Sequence, residues 1–125
     1  MTIAERSAAF SEKERIEKLY LPGVKDRSGE KTVHQLVRFE FKERSDDVPT
    51  NGYSENELFI GEAANGDQIA IFCVREQSSV SSPHCWREFE ITENVTLTYK
   101  FKKPYLPEWR AIDAQVRKFI DAIAI

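Results

Sequence analysis

The chain has 125 residues, of which 41% are hydrophobic and 31% are charged, and its formal net charge is −3. This length accommodates one modest core, so residues 1–125 are predicted to form a single domain, and the composition is typical of a folded protein rather than a disordered one. An acidic chain lacks the positive field that duplex binding requires, which argues against nucleic acid as a partner.

Neither a membrane span nor a secretory leader is predicted. The longest apolar runs fall well short of the roughly 20 residues that cross a bilayer. The N-terminal residues lack the uninterrupted apolar core of a signal peptide. This pattern predicts a cytoplasmic protein, or a periplasmic one if a leader has been removed.

The first predicted element is a helix over residues 11–21. Ser11 and Glu14 have the spacing of a capping box, in which each side chain satisfies a backbone N–H of the first turn. Apolar residues then recur at helical spacing until Pro22 and Gly23 end the helix.

About five strands follow, because the apolar period changes from helical spacing to two. The first starts at Val33 and places Val37, Phe39 and Phe41 on one face. Two further strands flank Asn65-Gly66, a pair that predicts a type I′ hairpin turn. The later strands are predicted to continue this meander, with one face of the sheet buried.

The C-terminal element is predicted to be an amphipathic helix that begins at Leu106-Pro107, where proline is tolerated. Its apolar stripe consists of Trp109, Ile112, Val116, Phe119, Ile120 and Ile123. The predicted fold class is therefore α+β: an antiparallel meander of about five strands, an N-terminal helix, and a C-terminal amphipathic helix packed on one face.

Both cysteines lie in one predicted hairpin. A hairpin centred on Ser79 places Cys73 directly opposite Cys85. The pair forms either half-buried reduced thiols or a disulfide, and the missing leader favours the thiols, since disulfides belong to oxidising compartments. His84 is adjacent to Cys85 and points to the other face, so a catalytic pair would need His34 from a neighbouring strand.

No other motif indicates chemistry. A zinc site needs about four ligands, and this hairpin offers three at most, so no metal is expected. The five glycines are scattered through turns, which disfavours a phosphate-binding loop, and no cofactor is predicted. We therefore expect a protein that is not an enzyme.

Charge is distributed unevenly along the chain. Residues 43–67 contain seven acidic side chains and one basic one, a local charge of −6 against +3 for the remainder. Acidic groups combined with aromatic anchors suit the capture of a basic protein surface. The predicted partner-binding residues are Asp46, Asp47, Tyr53, Glu55 and Glu57. A solvated loop that only maintains solubility is the alternative interpretation.

The closing run VTLTYKFKKPYLPEWRAIDAQVRKFIDAIAI combines an aromatic-rich strand, a Leu-Pro-x-Trp helix start and an apolar stripe. It resembles the end of small immunity proteins that neutralise interbacterial toxins of Gram-negative bacteria. The resemblance covers about a quarter of the chain. It implies a non-catalytic protein that binds a cognate effector toxin and blocks its active site or substrate groove. The acid-rich stretch predicts that the toxin presents a basic surface, and the chain is expected to be a monomer or a homodimer.

Two other classes remain open. An acidic secretion chaperone would expose an apolar groove, for which the strand face of Ala70, Phe72, Val74 and Trp86 is the candidate. A small-ligand-binding domain would contain a buried polar cluster in a pocket, for which His34, His84, Arg38 and Tyr99 are the candidates.

Overall fold

The computed structural model describes residues 2–5, 11–32, 34–42, 56–63, 65–74, 83–92 and 95–122, and for residues 2–5 the backbone only. Within these residues, seven strands form one antiparallel sheet. They are β1 (Thr2–Glu5), β2 (Glu30–Lys31), β3 (Val37–Glu40), β4 (Asn56–Glu62), β5 (Gln68–Val74), β6 (His84–Thr92) and β7 (Val95–Lys102). Strands β2 to β7 form a meander, and β1 pairs with β7 at one edge.

Helical elements flank the strands. Near the N-terminus, α1 (Glu12–Arg15) continues as a π-helix (Ile16–Tyr20) and a 3-10 turn (Leu21–Gly23), and we call residues 12–23 the N-terminal helical segment. The predicted capping box of Ser11 and Glu14 is present. At the other end, a 3-10 turn (Lys103–Glu108) leads into α2 (Trp109–Ala122).

The N-terminal helical segment covers one face of the sheet. Ile16 and Tyr20 pack there in a buried cluster with Phe39, Ala70 and Phe72. The Tyr20 ring meets the Phe72 ring edge-on, with the centroids 4.9 Å apart. This face of β5 is therefore shielded from solvent.

Helix α2 covers the opposite face. Trp109 packs with Ile71 in a second cluster, and Ile112 packs against Phe89 and Leu97 in a third. Successive residues of a strand point to opposite faces, and those of β5 alternate between the first two clusters. Strand β5 is thus buried on both faces, whereas β7 exposes Lys100 and Lys102 on the face opposite Leu97 and Tyr99.

Close packing of α2 depends on a glycine in β4. A Cβ atom built on Gly61 would lie 3.1 Å from the indole ring of Trp109 and 2.7 Å from Cδ2 of Leu36. The missing side chain lets the indole rest directly on the strand, and its Nε1 donates a hydrogen bond of 2.9 Å to the His34 carbonyl.

The predicted α+β class and antiparallel meander are confirmed, with three differences in detail. Strand β5 is buried on both faces rather than one, while Lys100 and Lys102 of β7 are exposed as the prediction of one buried face expects. In the β4–β5 hairpin, the Gly66 N–H donates to the Ala63 carbonyl at 2.9 Å, which places Asn65 and Gly66 at the last two positions of the turn rather than the central two, so the predicted type I′ turn is wrong. In α2, Phe119 is 46% exposed rather than part of the buried stripe, and Ile123 lies outside the described residues.

The sheet is split between β5 and β6. In the described ladder these strands share two register pairs, Phe72 with Trp86 and Cys73 with Cys85. From Gln68 to Ile71, no described residue of β6 pairs with β5. The two strands therefore diverge towards the β4–β5 hairpin, and backbone groups on both sides lose their ladder partners.

Side chains of the N-terminal helical segment replace the missing ladder. The Ala70 N–H of β5 donates to Oε2 of Glu12 at 3.2 Å. On the other side of the split, the Glu88 carbonyl of β6 accepts a hydrogen bond of 2.7 Å from Nη2 of Arg15. Buried backbone polar groups need partners, which explains why a glutamate and an arginine are buried at this position.

Candidate functional site

The open end of the split forms a cleft of about 460 Å³. Its walls come from the β4–β5 hairpin, from β6 and from the C-terminal half of α2, and Glu12 lies at its inner end. Its acidic lining residues are Glu12, Asp67, Glu90 and Asp121, its basic ones are Arg87 and Arg117, and its apolar ones are Phe89, Ile91 and Ile120. We call this space the cleft.

Arg87 forms the floor of the cleft and is 1% exposed. It shares a face of β6 with Cys85 and Phe89, so its side chain starts on the α2 side of the sheet. Through the split, its Nε and Nη2 donate to the two carboxylate oxygens of Glu12, at 3.0 and 2.8 Å. Its Nη1 donates to Oδ1 of Asp113 in α2. One guanidinium thus contacts helical elements on both faces.

The Asp113 carboxylate accepts hydrogen bonds from three side chains. Besides Arg87, the Tyr99 hydroxyl donates to its Oδ1 at 3.1 Å, and Nε of Arg117 donates to its Oδ2 at 3.2 Å. The guanidinium carbons of Arg87 and Arg117 lie 4.2 and 5.5 Å from the centre of the Phe89 ring. The charged groups of the floor and the Phe89 ring therefore contact one another within the floor.

Burial and pairing set the pKa values here. Burial disfavours the cation of Arg87, but the hydrogen bonds and charge of Glu12, together with the charge of Asp113, outweigh it and raise the Arg87 pKa. Burial raises the pKa of Tyr99, and the Asp113 charge adds to the effect. Burial also raises the Glu12 pKa, because it exceeds the opposing contribution of Arg87. The floor holds Arg87 as a cation and Tyr99 as a neutral donor.

The acid-rich stretch is only partly described. Asp46, Asp47, Tyr53 and Glu55 lie outside the described residues, so their part in partner binding stays a prediction. Asp67, at the end of the stretch, is exposed and lines the cleft.

Glu57 is the one predicted partner-binding residue that the structure describes. Its side chain is 9% exposed and forms ion pairs with Arg38 and Lys103. Burial opposes the charged form, but these two cations outweigh it and lower the Glu57 pKa. Its carboxylate already has two cationic partners within the molecule, and its part in partner binding stays a prediction.

The cysteines lie where the predicted hairpin places them. Cys73 is the register partner of Cys85, and the two are joined by a disulfide with a Cα–Cα distance of 4.0 Å. Both are fully buried. The structure thus differs from the favoured expectation of half-buried reduced thiols. The disulfide fastens β5 to β6 beside the point where they separate.

The other candidate residues are dispersed. Tyr99 reaches the floor of the cleft through Asp113, whereas Arg38 belongs to the separate ion pairs with Glu30, Glu40 and Glu57. His84 is exposed and lies against the Trp86 ring.

The strand face suggested for a chaperone groove is covered. Ala70 and Phe72 are buried beneath the N-terminal helical segment, and Trp86 is partly buried against the same cluster. The chaperone hypothesis therefore loses the open surface on which it depended.

Sequence reasoning missed Glu12, Arg87 and Asp113. A signal existed for two of them. Arg87 occupies an inward position of β6 between Cys85 and Phe89, and Asp113 lies one turn after Trp109 on the apolar side of α2. An arginine and an aspartate that both interrupt buried positions indicate an ion pair.

Comparison of the chain with protein-family models, with curated proteins and with solved structures gives no match. No helix in the described part of the chain is long and apolar enough to cross a membrane. Among the described residues, no group of three or more histidine, cysteine, aspartate or glutamate side chains is arranged to hold a metal ion. The cleft is therefore the feature of the described structure from which we infer a function.

Proposed function

We propose that the protein is a non-catalytic protein-binding domain of the immunity type, which neutralises a cognate bacterial effector toxin by binding a basic surface of it. One observation carries the proposal: an open cleft with more acidic than basic lining groups, at the described end of the acid-rich stretch. Complementary charge accelerates encounter and orients a basic partner. The resemblance of the C-terminal run to immunity proteins supports the same class.

The test is co-purification of the full chain from the host that encodes it, followed by mass spectrometry after a moderate-salt wash. The proposal expects one stoichiometric partner with a toxic catalytic domain, and co-expression of the chain should protect a sensitive strain from that domain. The amount of partner retained after the wash should fall at least tenfold in the Asp67→Lys/Asp121→Lys variant.

Glu108→Lys is the matched control. Glu108 is exposed and immediately precedes α2, 13 positions before Asp121, or about 20 Å along the helix at the usual rise. It should leave retention unchanged. If no partner with toxic activity is found, or if the chain gives no protection, the immunity proposal is wrong.

A small-ligand-binding domain is the second candidate, because a cleft of about 460 Å³ with a buried polar floor is within the size range of small-molecule pockets. In that case the chain, purified without any protein partner, carries a low-molecular-weight compound that native mass spectrometry detects.

A further inference from the structure

The charges around the cleft do not balance. In the floor, Glu12 and Asp113 pair with Arg87, and Asp113 also pairs with Arg117. At the side, Glu90 pairs with Arg15.

Two lining carboxylates remain. Asp67 and Asp121 make no ion pair with any residue that the structure describes. Arg117 lies one turn before Asp121, but its Nε is directed to Asp113. Among the described residues, the lining of the cleft therefore carries more carboxylates than cations, and a bound cation would offset the excess.

The two carboxylates stand on separate elements. Asp67 follows the turn of the β4–β5 hairpin, where its backbone N–H donates to Oδ1 of Asn65 at 3.1 Å and its Oδ2 accepts from Nδ2 of Asn65 at 2.9 Å. Asp121 lies in the last turn of α2. A planar guanidinium has five donors and can bridge two carboxylates, whereas an ammonium acts as a compact point charge. This arrangement favours a guanidinium over an ammonium.

The lining of the cleft also contains apolar side chains beside its charged ones. Ile91 and Ile120 line the cleft and are partly exposed, so an alkyl chain that entered there would remove their surface from water. The floor needs no rearrangement, because Arg87 already has its partners in Glu12 and Asp113. A preformed site of this kind lowers the entropic cost of binding.

We propose that the cleft is the subsite for one alkylguanidinium group. Because this inference rests on the proposed function, the group is an arginine side chain of the protein partner. The cation lies between Asp67 and Asp121, and its alkyl stem lies against Ile91 and Ile120. A free guanidinium compound has the same chemistry, and the experiment separates these two sources.

The experiment is an NMR titration of the full isotope-labelled chain with N-acetyl-arginine amide, followed at the methyl groups of Ile91 and Ile120. Saturable shifts are expected. The neutral isostere N-acetyl-citrulline amide should bind at least tenfold more weakly, and N-acetyl-lysine amide should fall between them. The Asp67→Asn/Asp121→Asn variant should lose at least tenfold in affinity for the arginine amide, and Glu108→Gln should lose none.

Absence of saturable shifts with the arginine amide, or equal binding of the citrulline amide, would overturn the inference. If a toxin partner binds the Asp67→Asn/Asp121→Asn variant undiminished, the proposed function stands and the arginine subsite is wrong. If the arginine amide binds as expected but no protein partner exists, the guanidinium site stands, its source is a free compound, and the immunity proposal fails.

Discussion

Glu12 and Glu57 are both largely buried glutamates, yet their surroundings shift their pKa values in opposite directions. Glu12 lies in the split of the sheet, where burial outweighs the help of Arg87 and raises its pKa above the ordinary value of 4.5. Glu57 lies between Lys103 and Arg38, which overcome its burial and lower its pKa. Two cations act on each carboxylate, so the larger cost of burial at Glu12 accounts for the difference.

These shifts predict opposite pH dependences of stability. The folded state retains the Glu12 proton longer than the unfolded state does, so the Glu12 contribution falls as the pH rises from 4.5 through the raised pKa. The Glu57 contribution is fully present above 4.5 and is lost as the pH falls through the lowered pKa.

The measurement is the free energy of urea unfolding between about pH 3.5 and about pH 7. The free energy of unfolding of the wild type minus that of Glu12→Gln should decrease as the pH rises. The same difference taken with Glu57→Gln should increase. Glu17→Gln, at an exposed site, gives the baseline for the substitution itself. Two difference curves with the same sign of slope would contradict the assignment.

At the scale of the element, the disulfide between Cys73 and Cys85 compensates for the short ladder between β5 and β6. It closes a loop with a sequence separation of 12. In the chain-entropy model, a loop of this size stabilises the fold by about 3 kcal/mol. Because both sulfurs are fully buried, we expect a reductant to reach them only after the strands separate.

Reduction with dithiothreitol should therefore be slow in the native state and, once complete, should lower the free energy of unfolding by about 3 kcal/mol. The Cys73→Ala/Cys85→Ala variant is the control, since its unfolding curve should be the same with and without reductant. Equal stability of oxidised and reduced wild type would show that the ladder and the two helical elements hold the hairpin without the disulfide.

Elements in which apolar residues recur at a clear period were predictable from the sequence. The arrangement of these elements across the sheet was less predictable. The capping box at Ser11 and the register of Cys73 with Cys85 depend on short-range spacing, and both are present in the structure. The prediction that only one face of the sheet is buried is wrong at β5. Its continuous apolar run from Ile69 to Val74 indicates burial on both faces.

The cleft was less predictable still. Its floor joins Glu12, Arg87 and Asp113, which are far apart in sequence and meet only because the two helical elements lie on opposite sides of a split sheet. Strand alternation marks Arg87 as inward, but no local pattern shows that β5 and β6 diverge. Strand β1 was missed for a related reason, since its pairing with β7 joins the two ends of the chain.

At the scale of the whole molecule, Arg87 couples the two faces of the sheet. Its side chain contacts Glu12 in the N-terminal helical segment and Asp113 in α2. Replacement by methionine keeps most of the volume but leaves the buried carboxylate of Glu12 without its ion-pair partner and Asp113 with Arg117 alone. Removing one partner of a buried ion pair typically costs about 3–5 kcal/mol. Arg87→Met should therefore weaken both helical elements together.

Hydrogen exchange followed by mass spectrometry measures this coupling segment by segment. In Arg87→Met, amides of residues 12–20 and of residues 109–122 should both exchange faster than in wild type, because the segments lose the same anchor from opposite faces. Arg38→Met removes a cation whose ion pairs join β2, β3 and β4, so its effect should concentrate in those strands. Faster exchange in only one helical segment of Arg87→Met would mean that the sheet, rather than the guanidinium, transmits stability between the faces.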